Sequence, residues 1–534
     1  MYVQDDKDPD AARGVARREM PNLLRCVRAA LDAGDDDAVE FVEYVNWFLQ
    51  DFGQTREAES LTARARQAAQ PGGRAWYLAQ SNHGEQLFAQ GRVREAGAVF
   101  AEILQTQGGC DDVVAQAARL FGDSRLSLRE RTPFRGAKGD TGPAARPSYE
   151  RCQTLGRLAR CYRVAKQPAL AAELQRRALA DLDRLEPSPG VLREKGVRYT
   201  DFADALTDAG DYDTARDAYQ DGLKIMREIK DQRGEGVSLG QLGTLAMLQG
   251  DLPQSAARFN EALELFQRIG EPKAVATAWH QLGMVYEEAR QWEQAERHYK
   301  EAARIREQQG DLQGAAESYN QLAMVNAYAG KPEVAEQWFG KAIAAKRRVG
   351  NAASLASSLN NLAELLRTQP GRLAEARQAA EEALEIKKTL DPGASQVWTS
   401  HQILAEIAST EGDAASARDF RRQARRAKWN WAGTRYELRR FAPLIALPLA
   451  ALAEDDPGGP LHHKLAEQQR QMRAAGGEWA QLADALACLL ADPQISEDDL
   501  CGELHWSRAT ILMAIQAGLR DPASIADLLH HEAE

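Results

Sequence analysis

The stretch from residue 278 to residue 302, AWHQLGMVYEEARQWEQAERHYKEA, concentrates side chains that could do acid–base chemistry. It contains two histidines, His280 and His298, and two adjacent carboxylates, Glu287 and Glu288. Histidine and carboxylate side chains are the usual proton donors and acceptors in enzymes. Adjacent carboxylates on a helix are nevertheless more typical of a solvated face than of an acid–base pair. The stretch therefore predicts either a chemical site or one unit of a scaffold.

A metal site is the second kind of chemistry that the residue types allow. Cys501 and His505 are four residues apart on a predicted helix, and two histidine pairs, His462–His463 and His530–His531, lie in the same tail. A zinc site usually has two ligand pairs with short fixed spacings, and no second such pair accompanies Cys501. Cysteine in a helix of this kind is usually a small buried apolar residue. We therefore predict no metal and no cofactor.

Common catalytic motifs are missing from the sequence. It has no GxxxxGK[ST] or GxGxxG loop, no HExxH and no GxSxG, and it has no strand runs that could hold such loops. We therefore predict that the protein is not an enzyme. Stoichiometric metal or nucleotide turnover in the purified protein would reverse that prediction.

A basic run, RDFRRQARRAKWNW, occupies residues 418–431 of an otherwise acidic chain. It could bind phosphate or an acidic partner surface. The alternative is structural: cations near the carboxyl end of a helix, with aromatic packing beneath a helical cap. The candidate contact patch consists of Arg421, Arg422, Arg425 and Arg426.

A 40-residue repeat dominates the sequence around these residues. QLG at 241–243 recurs as QLG at 281–283, as QLA at 321–323 and as NLA at 361–363. A fixed period of this length is typical of a solenoid built from one supersecondary unit. Apolar residues at helical spacing predict two helices in each unit, and small residues among them predict close packing.

One set of positions carries a family resemblance. It comprises Trp279, Leu282, Gly283, Tyr286, Ala295, Tyr299 and Ala302. This set resembles the tetratricopeptide (TPR) signature position by position, and the neighbouring units keep the pattern with changes. The resemblance implies an all-α fold, a right-handed TPR superhelical solenoid, with Trp279, Leu282, Tyr286 and Tyr299 in its core. Gly-Asp pairs at 210–211, 250–251 and 412–413 predict helix ends followed by capping carboxylates.

The domain organisation follows from where the repeat holds and fails. We predict a helical lead-in at 1–36, a TPR solenoid of about nine helical hairpins at 37–430, and a C-terminal helical capping domain at 435–534. The segment 107–150 is irregular, and its part at 133–148 is rich in Gly, Pro and Ala. That part predicts a mobile surface loop, with a ligand-gripping loop as the alternative.

The TPR resemblance also implies a concave groove lined by the first helix of each hairpin. Carried onto this chain, the groove positions mix amides and methionines, which suit an extended or helical peptide. SLNNLAELL (358–366) is similar to kinesin light chain and nephrocystin-type repeats, which implies peptide contacts for Asn360 and Asn361. A structural inter-helix amide is the alternative for Asn361 and Gln321. A carboxylate clamp of the chaperone-binding kind fits only loosely. The predicted groove residues are His280, Met284, Glu287, Asn320, Met324, Tyr328, Asn360, Glu364 and Arg367.

Both ends of the chain carry a second resemblance. Residues 18–61 resemble the segment that follows the ATPase and winged-helix modules in bacterial STAND proteins, which are signalling ATPases related to NOD-like receptors. Residues 477–519 resemble the helical tail that closes the TPR regions of those proteins. The ATPase motifs of that family are absent, so the resemblance implies a sensing arm, either as a fragment or as a free-standing relative of a separate effector.

Composition limits the partners. The formal net charge of −11 and the pI near 5.5 argue against nucleic acid as a partner. The six cysteines are scattered, the amino terminus is polar and acidic, and the apolar stretch at 441–453 is too short to span a bilayer. These features predict a cytoplasmic protein without a membrane partner.

These observations lead to one functional hypothesis and one alternative. The hypothesis is a non-enzymatic protein- or peptide-binding TPR module, the ligand-sensing arm of a bacterial STAND-type signalling or defence system with an effector or ATPase module as a possible partner. In that hypothesis the ligand shifts the equilibrium between two shapes of the solenoid. The alternative is a constitutive assembly scaffold or adaptor that keeps one shape.

Overall fold

The computed structural model describes residues 9–52, 54–69, 73–107, 111–121, 148–390, 395–454, 456, 458–502 and 504–529. Within these ranges all regular secondary structure is helical, as the sequence predicts. The chain divides into two compact units, Met1–Glu271 and Pro272–Glu534.

The first unit is a series of helices in which neighbours along the chain pack together. Pairs form between α2 and α3, α4 and α5, α7 and α8, α9 and α10, and α11 and α12, and α6 packs on α5. The helices in its described part are α1 (Pro9–Asp32), α2 (Asp36–Asp51), α3 (Thr55–Ala68), α4 (Arg74–Ala89), α5 (Val93–Gln107), α6 (Asp111–Phe121), α7 (Tyr149–Val164), α8 (Pro168–Leu182), α9 (Pro189–Ala209), α10 (Tyr212–Glu228), α11 (Gln232–Leu248) and α12 (Leu252–Ile269).

The second unit continues the paired arrangement and ends in shorter helices. Its pairs are α13 with α14, α15 with α16, α17 with α18, and α19 with α20. These helices are α13 (Pro272–Glu288), α14 (Trp292–Gln308), α15 (Leu312–Tyr328), α16 (Pro332–Val349), α17 (Ala352–Arg367), α18 (Leu373–Lys388), α19 (Val397–Glu411) and α20 (Ala414–Trp429). The later helices are α21 (Ala432–Arg439), α22 (Ala442–Leu452), α23 (Pro460–Ala475), α24 (Gly477–Ala491), α25 (Glu497–Cys501), α26 (Trp506–Arg520) and α27 (Ala526–Leu529).

The turns between paired helices have the chemistry that the sequence predicts. Gly210 and Gly250 have φ of 84° and 78°, a left-handed conformation that glycine adopts without strain. Asp211 and Asp251 then accept hydrogen bonds from the backbone N–H of the third residue in the next helix. Gly412 with Asp413 repeats the arrangement, so all three predicted Gly-Asp turns are confirmed.

Small residues allow each helix pair to pack closely. A Cβ atom on Gly283 would lie 2.6 Å from the ring of Tyr299, which is fully buried together with Leu282. Trp279 and Tyr286 are only partly buried, and their rings contact the ring of His298 at centroid distances of 5.1 and 4.8 Å. The stretch 278–302 is therefore a packed helix pair.

The last helices of the second unit have an apolar core of their own. Ile445, Leu465, Leu486 and Ile515, from α22, α23, α24 and α26, are buried in one cluster. The predicted loop at 133–148 lies outside the described residues except for Ser148, which accepts a hydrogen bond from the backbone N–H of Arg151 at the start of α7. Among the helices in the described ranges, none has the length and apolar character needed to cross a bilayer.

Candidate functional site

The predicted groove residues lie on the first helix of three successive pairs in the second unit. α13 carries His280, Met284 and Glu287, and the other two helices repeat this arrangement about 40 residues further on each time. Residues three or four positions apart share one side of a helix, so each trio forms a short stripe. On α15 the stripe is Asn320, Met324 and Tyr328, and on α17 it is Asn360, Glu364 and Arg367.

Two members of the α13 stripe contact a buried tyrosine. The phenol of Tyr299 donates a hydrogen bond of 2.6 Å to Glu287 Oε2, and its ring lies 5.1 Å from the ring of His280. Burial raises the pKa of the Glu287 carboxyl above its usual value. Burial, with Arg306 nearby, lowers the pKa of His280 to about 4, so that the imidazole is neutral at pH 7.

The α15 stripe is the most accessible of the three. Tyr328 is 57% exposed, and its ring lies 5.6 Å from that of Trp292. Met324 and Asn320 are partly exposed. Asn320 Oδ1 accepts a 2.7 Å hydrogen bond from Ser358 Oγ, while its amide nitrogen has no partner within the described part of the chain. α15 thus presents a hydrogen-bond donor, a flexible apolar side chain and an aromatic ring on one side.

The α17 stripe is occupied by contacts to the next first helix, α19. Asn360 is only 6% exposed; it donates to Thr399 Oγ1 at 3.1 Å and accepts from Ser400 Oγ at 3.0 Å. Arg367 pairs with Glu364 on its own helix and with Glu406 on α19, the latter at 2.9 Å. A partner that used Asn360 or Arg367 would have to replace these contacts, and their role in binding stays a prediction.

A row of buried or half-buried cations, which sequence reasoning missed, supports this face from behind. Arg306, Lys346 and Lys387, from α14, α16 and α18, each donate to a hydroxyl group twelve residues further along the chain. The acceptors are Ser318 at 2.9 Å, Ser358 at 2.6 Å and Thr399 at 2.5 Å. Ser358 and Thr399 are also the residues that hydrogen-bond Asn320 and Asn360, so one polar network joins the second helices to the first helices.

The predicted basic patch on α20 is largely committed to other parts of the same unit. Arg425 is 1% exposed and donates to Asp498 Oδ1 at 2.8 Å and to the carbonyl of Cys501 at 3.3 Å. Arg422 pairs with Asp419 and lies 3.4 Å from Asp498. These two arginines attach α20 to α25. Arg421 donates to Ser409 Oγ at 3.0 Å, and Arg426 is exposed.

Lys428, in the same basic run, is enclosed by aromatic rings. Its ammonium lies 4.5, 4.2 and 5.0 Å from the ring centroids of Trp398, Trp431 and Trp506, and 2.7 Å from a carboxylate oxygen of Glu437. Cation–π attraction of this kind is strongest when the cation is desolvated, and the Lys428 side chain is only 3% exposed. The cage joins α19 and α20 to α26.

No cluster of three or more His, Cys, Asp or Glu side chains suited to a metal ion occurs among the described residues. Cys501 is buried beside Arg425, and burial raises the pKa of its thiol to about 12. His505 Nδ1 lies 2.8 Å from the hydroxyl of Ser507.

Comparison with known proteins identifies the repeat. A tetratricopeptide-repeat family model matches residues 198–268, 234–308 and 314–389. No curated protein sequence matches the chain.

Several solved structures are similar to this chain, among them the following three. A Signal Transduction ATPase with Numerous Domains (STAND) protein with a tetratricopeptide repeat sensor, from Pyrococcus horikoshii, is 14% identical, with 76% of this chain and 62% of that chain covered and a TM-score of 0.45. A Rap protein complexed with Competence and Sporulation Factor is 14% identical. The match covers 74% of this chain and 98% of that chain, with a TM-score of 0.41. A putative kinesin light chain from Podosopora anserina, with TPR-like repeats, is 15% identical. The match covers 37% of this chain and 96% of that chain, with a TM-score of 0.33.

Proposed function

Because the chain carries tetratricopeptide repeats, we propose that it is a partner-binding module that holds a peptide or protein segment on the first helices of its second unit. In this proposal the module is the sensing arm of a bacterial STAND-type system and acts in the cytoplasm with a separate effector or ATPase module. The resemblance of residues 18–61 and 477–519 to STAND segments supports that assignment.

The observation that carries the proposal is the accessible stripe on α15. An exposed tyrosine ring, a methionine and an amide donor without a partner among the described residues lie on one side of the helix. Tyrosine provides a large contact area at a low cost in side-chain entropy, and methionine adapts to different apolar surfaces. The network behind the stripe holds Asn320 in place, so a ligand would meet a largely preformed surface.

The test uses two single variants, Met324→Glu and Tyr328→Ala, in quantitative pull-downs from a lysate of the source organism. Each substitution should reduce capture of a partner by about tenfold or more, as expected for residues at the centre of an interface. Val349→Glu is the control, because Val349 is 41% exposed at the end of a second helix, α16. Equal capture by all four proteins would show that the contact stripe is assigned wrongly.

A second measurement distinguishes sensing from constitutive assembly. A sensor needs different affinities for two shapes of the protein, so small-angle scattering of the free and the partner-bound chain should give different radii for the TPR module. A scattering curve for the complex that fits the unchanged free module plus the partner would favour the scaffold.

A further inference from the structure

A basic groove lies in the first unit and shares no residue with the stripe on α15. It runs between α10 and α12, both second helices of their pairs, and it has a volume of about 370 Å³. Its walls carry Arg216, Lys224, Arg227 and Arg258, and its floor is apolar, with Leu223 and Leu242. Among the described residues, no carboxylate lines it, although the whole chain has a net charge of −11.

The repeat itself does not require this basic character. Forty residues further along the chain, the positions that correspond to Arg216, Lys224 and Arg227 are alanine, glutamate and glutamine. On α10 the cations occupy one side of the helix, while the exposed acids Asp217 and Asp221 follow a neighbouring side. The cation side of α10 also carries Asp213, which pairs with Arg216.

The cations of the groove are only weakly engaged. Arg216, Arg227 and Arg258 pair with Asp213, Glu235 and Glu261 at 3.0, 2.7 and 3.1 Å, and these arginine side chains are between 36% and 52% exposed. Ion pairs exposed to this degree contribute about 0–1 kcal/mol, so an anionic ligand could replace them at little cost. Lys224 is exposed and has no ion pair or hydrogen bond within the residues that the structure describes.

We infer that this groove is a second docking surface, which binds an acidic peptide segment of a partner protein. Arg227 is eleven positions after Arg216 on the same helix, so the cations are spread over about 16 Å. About five residues of extended chain span that length, and their alternate side chains point the same way. Carboxylates on one side of such a segment can meet successive cations, while an apolar side chain rests on the leucine floor.

The size and lining of the groove favour this occupant over other anions. A single phosphate would engage only one or two cations and would leave the rest of the row unused. Nucleic acid carries no aliphatic side chain that could rest on the leucine floor. The inference does not depend on the function proposed for α15, because the two surfaces share no residue.

The test measures binding of a fluorescein-labelled acidic peptide, EELEELEE, to the full chain by fluorescence anisotropy in low salt. Lys224→Glu and Arg258→Glu should each weaken binding by about tenfold, because each replaces attraction by repulsion. Arg268→Glu is the matched control: it makes the same charge change at an exposed cation of α12 outside the groove, and it should weaken binding less than about twofold. The Tyr328→Ala variant should bind this peptide like the unaltered chain.

Several outcomes would overturn the inference. They are absence of peptide binding, equal weakening by Lys224→Glu and Arg268→Glu, tighter binding of a single-stranded oligonucleotide than of the peptide, and equally effective competition by inorganic phosphate. Thermal unfolding of each variant establishes that it is folded. Because two groove variants are compared with the control, the loss of one to misfolding still leaves a decisive measurement.

Discussion

Lys387 holds a positive charge at a position that water hardly reaches. Its side chain is 5% exposed, and its ammonium donates to Thr399 Oγ1 and to the carbonyl of Gln396. It forms no ion pair with a carboxylate among the described residues. Desolvation accordingly lowers the pKa of Lys387 from 10.5 to about 8.

We expect Lys387→Met to stabilise the protein at neutral pH. Between pH 8 and pH 10.5 the unfolded state binds more protons than the folded state, so the stability of the unaltered chain rises with pH over that range. The shift corresponds to a cost on the order of 3 kcal/mol at pH 7, part of which the hydrogen bonds offset. Urea unfolding should show the variant about 1–3 kcal/mol more stable at pH 7 and less than about 1 kcal/mol more stable at pH 10.

The neighbouring lysine provides the control for that experiment. Lys388 is exposed and pairs with Glu385, so Lys388→Met should change stability by less than about 0.5 kcal/mol at either pH. A gain for Lys387→Met that is the same at pH 7 and pH 10 would contradict the explanation through desolvation of the charge.

For single residues, the sequence predicts the helix on which a side chain lies better than it predicts what the side chain contacts. The repeat pattern places His280, Glu287 and Asn360 on first helices, as the structure confirms. The pattern does not show that Tyr299 contacts His280 and Glu287. Nor does it show that Asn360 is hydrogen-bonded to Thr399 and Ser400. Such contacts depend on how the helices pack. The sequence does carry one signal for the cations behind this face. Arg306 and Lys346 are 40 residues apart, and so are the hydroxyl residues Ser318 and Ser358 to which they donate.

Glycine spacing governs how closely the helices of a pair approach. On α11, a Cβ atom at Gly236 would lie 2.7 Å from the ring of Phe266, whereas one at Gly240 would meet no atom of the described residues within 4 Å. The two glycines are four residues apart on the same helix, so their local helix propensities are equal. A substitution at each of the two glycines therefore distinguishes the effect of side-chain packing on stability from the effect of helix propensity.

We expect opposite results from alanine at these two positions. Gly236→Ala should destabilise the protein by about 1–3 kcal/mol, because Phe266 is buried and must move to admit a methyl group. Gly240→Ala should stabilise it by about 0.5–1 kcal/mol, because alanine loses less backbone entropy in a helix. Urea unfolding followed by circular dichroism measures both, and a gain at Gly236 would show that the helices of this pair can separate without cost.

Element boundaries were the most predictable part of the fold. Gly-Asp pairs determine both a left-handed helix end and the cap of the next helix, so Gly210–Asp211 and Gly412–Asp413 identify turns from local chemistry alone. The basic run at 418–431 is conspicuous in the sequence because its charges are adjacent along the chain. The groove between α10 and α12 was missed because its cations are spaced by helical turns and interleaved with acids.

Each of the two units contains its own repeated helix pairs. In repeat proteins, stability is approximately the sum of terms for single repeats and for nearest neighbours. A local change is therefore expected to act mainly on the unit that contains it, and a single two-state transition is not assured. The tryptophans make this testable, since only Trp47 and Trp76 of the ten precede Pro272.

The two optical probes should consequently report different transitions in a variant that weakens one unit. Tryptophan fluorescence follows mainly the second unit, whereas circular dichroism follows helices in both units. Gly236→Ala changes the first unit, so its urea curve by circular dichroism should gain an early phase while the fluorescence midpoint moves less. Lys387→Met changes the second unit and should move the fluorescence midpoint upward. If the two curves shift by the same urea concentration in both variants, the two units unfold as one cooperative body and the repeat-by-repeat account of stability is wrong for this protein.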